Sequence, residues 1–279
     1  MRYLIVATLS SLLVSACSFK PVTTSTDIVF SRENNLKLDV YSPKKIKDPK
    51  EVLVFIHGGN WERGDKSMYK FFGKGMARKG LVSVVIDYRL NPIAAYDGMA
   101  QDAARAIKWT KENITQYGGD SSKIFVTGHS AGGHLAALIA TDNSYFESLQ
   151  IKNPIKGAIL NDAFGLDMFG YLSKYHYPKD SVYLQIFTKN PEQWKKASPI
   201  FYLKKESPKM LMYLGGKTYP GIIEFSKTYY EELKKYQPDA KLVTVKGRHH
   251  VAMIGQFYFS TNKRYKEILD FIKTTCAGN

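Results

Sequence analysis

The stretch Lys123-Ile124-Phe125-Val126-Thr127-Gly128-His129-Ser130-Ala131-Gly132-Gly133-His134-Leu135 decides how this chain is read. Lys123–Thr127 has the apolar and β-branched character of a strand buried on both faces. Ser130–Thr141, rich in Ala and Leu, reads as a helix. Between them lies a G-x-S-x-G pattern, Gly128 to Gly132. By chance a chain of this length meets that pattern about once in ten. Its setting between strand and helix makes it the mark of a nucleophile elbow. Glycines on either side let neighbouring backbones approach closely, where a Cβ would clash. The bend lifts the Ser130 oxygen from the sheet to a helix N-terminus, whose amides favour a developing negative charge.

Outward from the elbow, strands and helices alternate. Ile28–Phe30 and Leu36–Tyr41 read as an opening antiparallel hairpin turned at Asn34-Asn35. Val52–Ile56, Val82–Ile86, Ile155–Leu160, Met210–Leu214 and Lys241–Val245 are further strands. Lys66–Lys79, Asp97–Gln116, Ile222–Tyr236 and Lys263–Thr274 are helices. This order predicts an α/β fold: a mostly parallel sheet with helices on both faces. Ligand sites in such sheets lie beyond the carboxyl ends of the strands, so the residues just after each strand matter most.

His57-Gly58-Gly59-Asn60-Trp61 follows Val52–Ile56. Its glycines let backbone N–H groups turn toward a shared point. With the N–H of Ala131, those of Gly59 and Asn60 would form an oxyanion hole. The base is sought among the residues after the last strand, where His249 and His250 both stand.

These motifs, with Asp87-Tyr88-Arg89-Leu90, Gln101–Ala104, Trp109 and Tyr117–Asp120, make the chain similar to the α/β-hydrolases of the esterase branch carrying an H-G-G-x-W loop. That branch includes hormone-sensitive-lipase-like esterases, arylformamidases and bifunctional feruloyl/acetyl-xylan esterases. The resemblance runs from about residue 35 to the end and weakens through 163–206. It implies a carboxylesterase that forms an acyl-enzyme on Ser130, with a small-molecule ester as substrate. It selects His250 as base, three residues after Gly247, and gives His57 a supporting role in the oxyanion loop. It also implies that 163–206, inserted after the sixth strand and rich in aromatics, caps the site. His129 and His134 are expected to be packing residues, and His176 to reach substrate at most marginally. Asp87 is expected to brace the loop through an arginine pair, and Asp102 to be structural.

The acid departs from the pattern. The family usually places an Asp shortly after the strand corresponding to Met210–Leu214, where Thr218 stands here. Asp162, directly after Ile155–Leu160, is taken provisionally as the acid, with Glu224 in the helix after Pro220 and Asp167 as alternatives. A fourth reading has no acid at all, leaving a non-catalytic binding protein of the same fold. Arylformamidase, polysaccharide deacetylase and feruloyl esterase activities need the same machinery.

The chain has 279 residues, of which 44% are hydrophobic and 13% aromatic, which excludes a disordered chain. Its two cysteines, Cys17 and Cys276, exclude a disulfide framework, and no His or Cys spacing implies a metal or other cofactor. The net charge is +15, with lysines at 44, 45, 47 and 50 and in several pairs, but no nucleic-acid motif accompanies them. They read as a solvated surface, or as an attraction to an anionic membrane. At the start, Arg2 and the apolar run Leu4–Val14 resemble a secretory signal, too short to span a bilayer. Val14-Ser15-Ala16-Cys17 resembles the lipobox of bacterial lipoproteins. The expected organisation is a signal over 1–16, lipidation at Cys17, a polar tether over 17–26 and one domain over 27–279. The implied location is the bacterial cell envelope, with membrane attachment through Cys17.

Overall fold

The computed structural model describes residues 20–178 and 181–278. Eight strands form one sheet in the order β1-β2-β4-β3-β5-β6-β7-β8. They are β1 (Val22–Ser31), β2 (Leu36–Pro43), β3 (Lys50–Ile56), β4 (Val82–Ile86), β5 (Gly119–His129), β6 (Ile155–Asn161), β7 (Lys209–Gly215) and β8 (Lys241–Val245). β1 and β2 are antiparallel to their neighbours; β3 to β8 run parallel. The helices are α1 (Lys70–Arg78), α2 (Tyr96–Asn113), α3 (Ala131–Thr141), α4 (Ser144–Glu147), α5 (Met168–Lys174), α6 (Val182–Ile186), α7 (Pro191–Lys196), α8 (Pro220–Lys234), α9 (His250–Gly255) and α10 (Lys263–Ala277). This is the mostly parallel α/β sheet expected from the order of elements, in the α/β-hydrolase arrangement that the resemblance implies.

The strand period of two divides the core. Val52, Val54 and Ile56 of β3 pack with α2, α3 and α8 on one face, through residues such as Ile107, Leu135 and Leu233. Leu53 and Phe55 face the other way, onto α1 and α10 through Phe72, Met76, Tyr265 and Ile268. Both sides of β3 are therefore buried, which is why its sequence shows no alternation.

Two expectations are corrected. The polar tether over 17–26 overlaps β1: residues from Val22 onward are paired, Val22 with Pro43 and Thr24 with Tyr41. β1 is an edge strand, and its threonines Thr23, Thr24 and Thr26 are exposed although the strand is part of a real ladder. The irregular stretch 163–206 contains α5, α6 and α7, joined by turns. The signal and Cys17 lie outside the described residues. No helix of the described residues is long and apolar enough to cross a membrane.

Candidate active site

β5 ends at His129 and α3 begins at Ala131, so Ser130 makes the whole turn, at φ 56° and ψ −123°. A residue with a side chain holds such a conformation only where its surroundings impose it, at a cost of about 1–3 kcal/mol. Here the imposition is steric. A Cβ on Gly132 would lie 2.1 Å from the carbonyl oxygen of Ile56, and one on Gly128 2.2 Å from that of Gly132. The bend is thus wedged against β3, and the Ser130 carbonyl accepts from the amides of His134 (3.1 Å) and Phe164 (3.2 Å).

The Ser130 hydroxyl lies 2.8 Å from Nε2 of His250, the first residue of α9. Nδ1 of His250 is 2.7 Å from Oδ2 of Asp162, whose side chain is fully buried. Serine, imidazole and carboxylate therefore form one relay. His249 caps α9 on the exposed side and takes no part.

The acid comes from the residue after β6. Asn161 pairs with Tyr213 across β6 and β7, so the ends of the two strands are adjacent. Asp162 bridges them: its amide donates to the Tyr213 carbonyl (2.8 Å), and its Oδ1 accepts from the Gly215 amide (2.7 Å). Thr218, at the place where the resemblance expects an acid, donates its hydroxyl to Oδ2 of Asp162 (2.5 Å). It also stands 3.4 Å from Nδ1 of His250. This supporting hydroxyl was not foreseen; the signal was a residue able to donate at the site vacated by the acid. The other two carboxylates are engaged elsewhere. Glu224 pairs with Lys174 (2.7 Å) on the surface, and Asp167 caps α5 by accepting from the Gly170 amide (2.8 Å).

The glycine loop after β3 is built from left-handed residues: Gly59 (φ 130°), Asn60 (φ 57°) and Trp61 (φ 60°). Gly59 and Asn60 line the same cleft as Ser130. The amides of Glu62 and Arg63 both donate to the Gly59 carbonyl, and the Asn60 side chain donates to Glu62 (2.9 Å). His57 braces this turn. It is fully buried and neutral, its pKa pushed down to about 4 by burial, and its Nδ1–H donates to the Gly58 carbonyl (2.8 Å). Beyond the loop, the buried Lys66 ammonium pairs with Asp27 and Asp39 (2.8 Å each). The expected arginine partner of Asp87 is corrected: Asp87 accepts from the Lys66 amide (2.7 Å), while Arg89 and Arg105 hold the buried Asp102.

His129 does more than pack. Its Nε2–H donates to the His250 carbonyl (3.0 Å), and the two rings lie 4.6 Å apart. Burial, followed by the neighbouring His250, pushes its pKa down to about 3, so it stays a neutral donor. His134 is also buried and donates to the Ala197 carbonyl (2.7 Å), joining α3 to the cap. Among the described residues, His129, Asp162 and His250 are the group close enough to share an ion; His129 Nε2 is bonded to the His250 backbone carbonyl and His250 Nδ1 to Asp162.

Above the relay is a cleft of about 780 Å³. The cap supplies Phe164, Tyr171, Tyr175, Tyr177 and Tyr183 to its wall, and Tyr171 and Tyr177 share a hydrogen bond. Tyr219, Ile222 and Val251 complete the apolar side. His176 is exposed and outside this lining, so the idea that it reaches substrate is corrected. Phe187 is a core residue packed against Trp61, and Phe169 faces outward to Phe201.

The chain is similar to several known proteins. The chain is 28% identical over 244 residues to isoprenylcysteine alpha-carbonyl methylesterase ICME of Arabidopsis thaliana, covering 82% of this chain and 57% of that protein. It is 34% identical over 181 residues to esterase LipQ of Mycobacterium tuberculosis, covering 60% and 41%. The chain thus spans about half the length of these curated relatives. Thermogutta terrifontis esterase 2, solved as phosphonylated by sarin, superposes with a TM-score of 0.70 at 25% identity, covering 81% of this chain and 85% of that one. A truncated carbohydrate esterase from gut microbiota superposes with a TM-score of 0.78 at 23% identity, covering 92% and 98%, a likeness of fold. A family model, BD-FAE, matches residues 38–233, which include the glycine loop, the elbow and Asp162; the chain belongs to the BD-FAE family of α/β-hydrolases.

Proposed function

We propose that the protein is a serine esterase that cleaves small-molecule carboxylic esters. One observation carries this reading: a strained serine hydroxyl, an imidazole and a buried carboxylate joined at 2.8 and 2.7 Å at the base of an open cleft. In the mechanism, His250 Nε2 takes the Ser130 proton as Oγ attacks the ester carbonyl. Asp162 holds Nδ1–H and stabilises the imidazolium that forms. The N–H groups of Gly59, Asn60 and Ala131 receive the oxyanion, each worth ~10²–10³ in rate. His250 then protonates the leaving alcohol, and a water activated by the same imidazole releases the acid from Ser130. The paired acid supports catalysis over a fold kept only for binding. The phenol-rich wall supports an apolar or aromatic group on the acyl or alcohol side.

The test is turnover of p-nitrophenyl acetate. The wild type is expected to hydrolyse it with a burst of one p-nitrophenol per chain, and Ser130→Ala to fall to the buffer rate. Equal slow rates for both would leave a binding protein.

The mature protein is read as a lipoprotein of the bacterial cell envelope, acylated at Cys17. Arg2, the apolar run Leu4–Val14 and the small residues before Cys17 support this. Acyl chains contribute about 0.8 kcal/mol per buried methylene, so more than one gives a firm anchor. Cys17→Ser is expected to release the protein from the membrane fraction; its retention there would refute the anchor.

A further inference from the structure

The two ends of the sheet differ in charge. Because β3 to β8 run parallel, the cleft lies over their carboxyl ends and their amino ends form the opposite face. β2 runs against β4, pairing Leu38 with Ile86 and Tyr41 with Ser83, so Pro43 and the turn after it lie on that opposite face. β1 reverses again, pairing Val22 with Pro43, and the Lys44 amide donates to the Pro21 carbonyl (3.1 Å). The chain therefore enters the fold at the end away from the cleft. The eight residues of β2 span roughly 25 Å between the two ends.

That far face carries exposed lysines. Lys44, Lys45 and Lys47 occupy the turn after β2; Lys156, Lys209 and Lys241 stand at the beginnings of β6, β7 and β8. None of these six is in an ion pair among the described residues. The carboxylates nearby are Asp48, Glu51, Glu147, Glu206 and Asp239, with Asp120 held by Lys123 (3.0 Å), Glu267 by Arg264 (2.8 Å) and Asp270 by Lys266. The cleft lining, by contrast, has one permanent charge, Arg63.

We propose that this lysine-bearing face docks on an anionic phospholipid bilayer, so that the cleft points toward water, away from the docked leaflet. Unpaired lysines on one face are attracted together to an anionic surface, within the screening length. Pro21 and Val22, the residues to which the sequence with the apolar run and Cys17 is joined, lie at this same face. Docking does not require acylation of Cys17. Where Cys17 is acylated, the links from Cys17 to Val22 reach at most ~17 Å, too short to bring the cleft round to the same leaflet. The substrate is then an ester dissolved in water or carried on an aqueous polymer, not a lipid of the docked leaflet. The docking goes beyond the esterase reading and stands independently of it; the nature of the substrate rests on that reading.

The experiment uses the full chain with Cys17→Ser and Cys276→Ser, sedimented with vesicles of phosphatidylglycerol or of phosphatidylcholine. The apolar run is common to every sample, so the difference between the two lipids is the readout. Binding to phosphatidylglycerol is expected to exceed that to phosphatidylcholine and to fall with salt. Lys44→Glu/Lys45→Glu/Lys47→Glu is expected to lower it ~100-fold while leaving turnover of soluble ester unchanged. A dye on a cysteine placed by Asp48→Cys should transfer energy to a bilayer acceptor far better than one placed by Val251→Cys. Equal binding to both lipids, a triple variant that binds as before, a soluble polyanion bound as tightly, or stronger transfer from position 251 would each overturn the proposal.

Discussion

Asp162 and Thr218 divide between them a role that one side chain usually fills. The carboxylate comes from the end of β6, and the hydroxyl from the segment after β7 tightens it against His250. Asp162→Asn should leave KM nearly unchanged and lower kcat by ~10⁴, because the amide no longer fixes the imidazole tautomer or stabilises its cation. Thr218→Val should cost about tenfold, by removing a donor to a buried anion. Adding Thr218→Asp to the Asp162→Asn chain should recover part of kcat, since residue 218 already lies 3.4 Å from Nδ1. Steady-state kinetics on one soluble ester reads all three; no recovery in the double variant would mean that position 218 cannot aim a carboxylate. The serine was legible because its pattern is local, a strand, a bend and a helix in sequence. The acid was legible only as a choice led by Asp162: Asn161 and Tyr213 are register partners, so either strand end can place a carboxylate beside the histidine. One-dimensional spacing does not distinguish them, and only the fold shows Glu224 and Asp167 spent on other bonds.

At the scale of elements, the elbow and the glycine loop are held by contact between β3, β5 and the turns at their carboxyl ends. Gly132→Ala would push a methyl to 2.1 Å from the Ile56 carbonyl and 2.5 Å from that of His57. Loss of soluble protein, or a fold without activity, is expected. Gly255→Ala, where no atom lies within 4 Å and the site is helical, should be neutral or stabilising by up to ~1 kcal/mol. The loop is also clamped from behind. Lys66→Met removes the cationic partner of the fully buried Asp39, leaving it only the Tyr41 hydroxyl and the Asp27 amide, and should destabilise by about 3–5 kcal/mol in urea unfolding. Asp39→Asn in the same chain should restore part of that loss. This clamp explains why β1, which carries no catalytic group, is wedded to the site: its Asp27 shares Lys66. Nothing in the sequence marked Lys66 as buried, because a lysine at the head of a helix reads as surface. β1 itself began earlier than expected for a related reason, since an edge strand with exposed threonines looks like polar linker. The cap was legible as an aromatic insertion but not in its orientation, which is set by how α5, α6 and α7 pack.

For the whole molecule, three buried histidines set the response to acid. Burial pushes His57 and His134 down to about 4 and His129 to about 3. Unfolded, each binds a proton near pH 6.5. Their contribution to stability is therefore fully present above that pH and is lost as pH falls toward 4, at up to about 3 kcal/mol for each. Asp87 and Asp167, whose carboxyls burial holds above the usual range, act in the opposite sense and offset a part. The urea midpoint should be flat from pH 8 to 7 and fall steadily below 6.5. His134→Gln should make that fall shallower; a midpoint independent of pH down to 4.5 would contradict the buried neutral imidazoles. At this scale the sequence was most informative. The alternation of strands and helices specified a parallel sheet, and the sheet specified where to look for chemistry.

Everything in the chemistry depends on Ser130 being a nucleophile activated by His250. That activation is tested most directly by treating the protein with a fluorophosphonate and locating the adduct by peptide mass. One adduct per chain is expected, on Ser130, forming much more slowly in His250→Gln and Asp162→Asn. An adduct on another residue, or one that forms on Ser130 at an undiminished rate without His250, would contradict it.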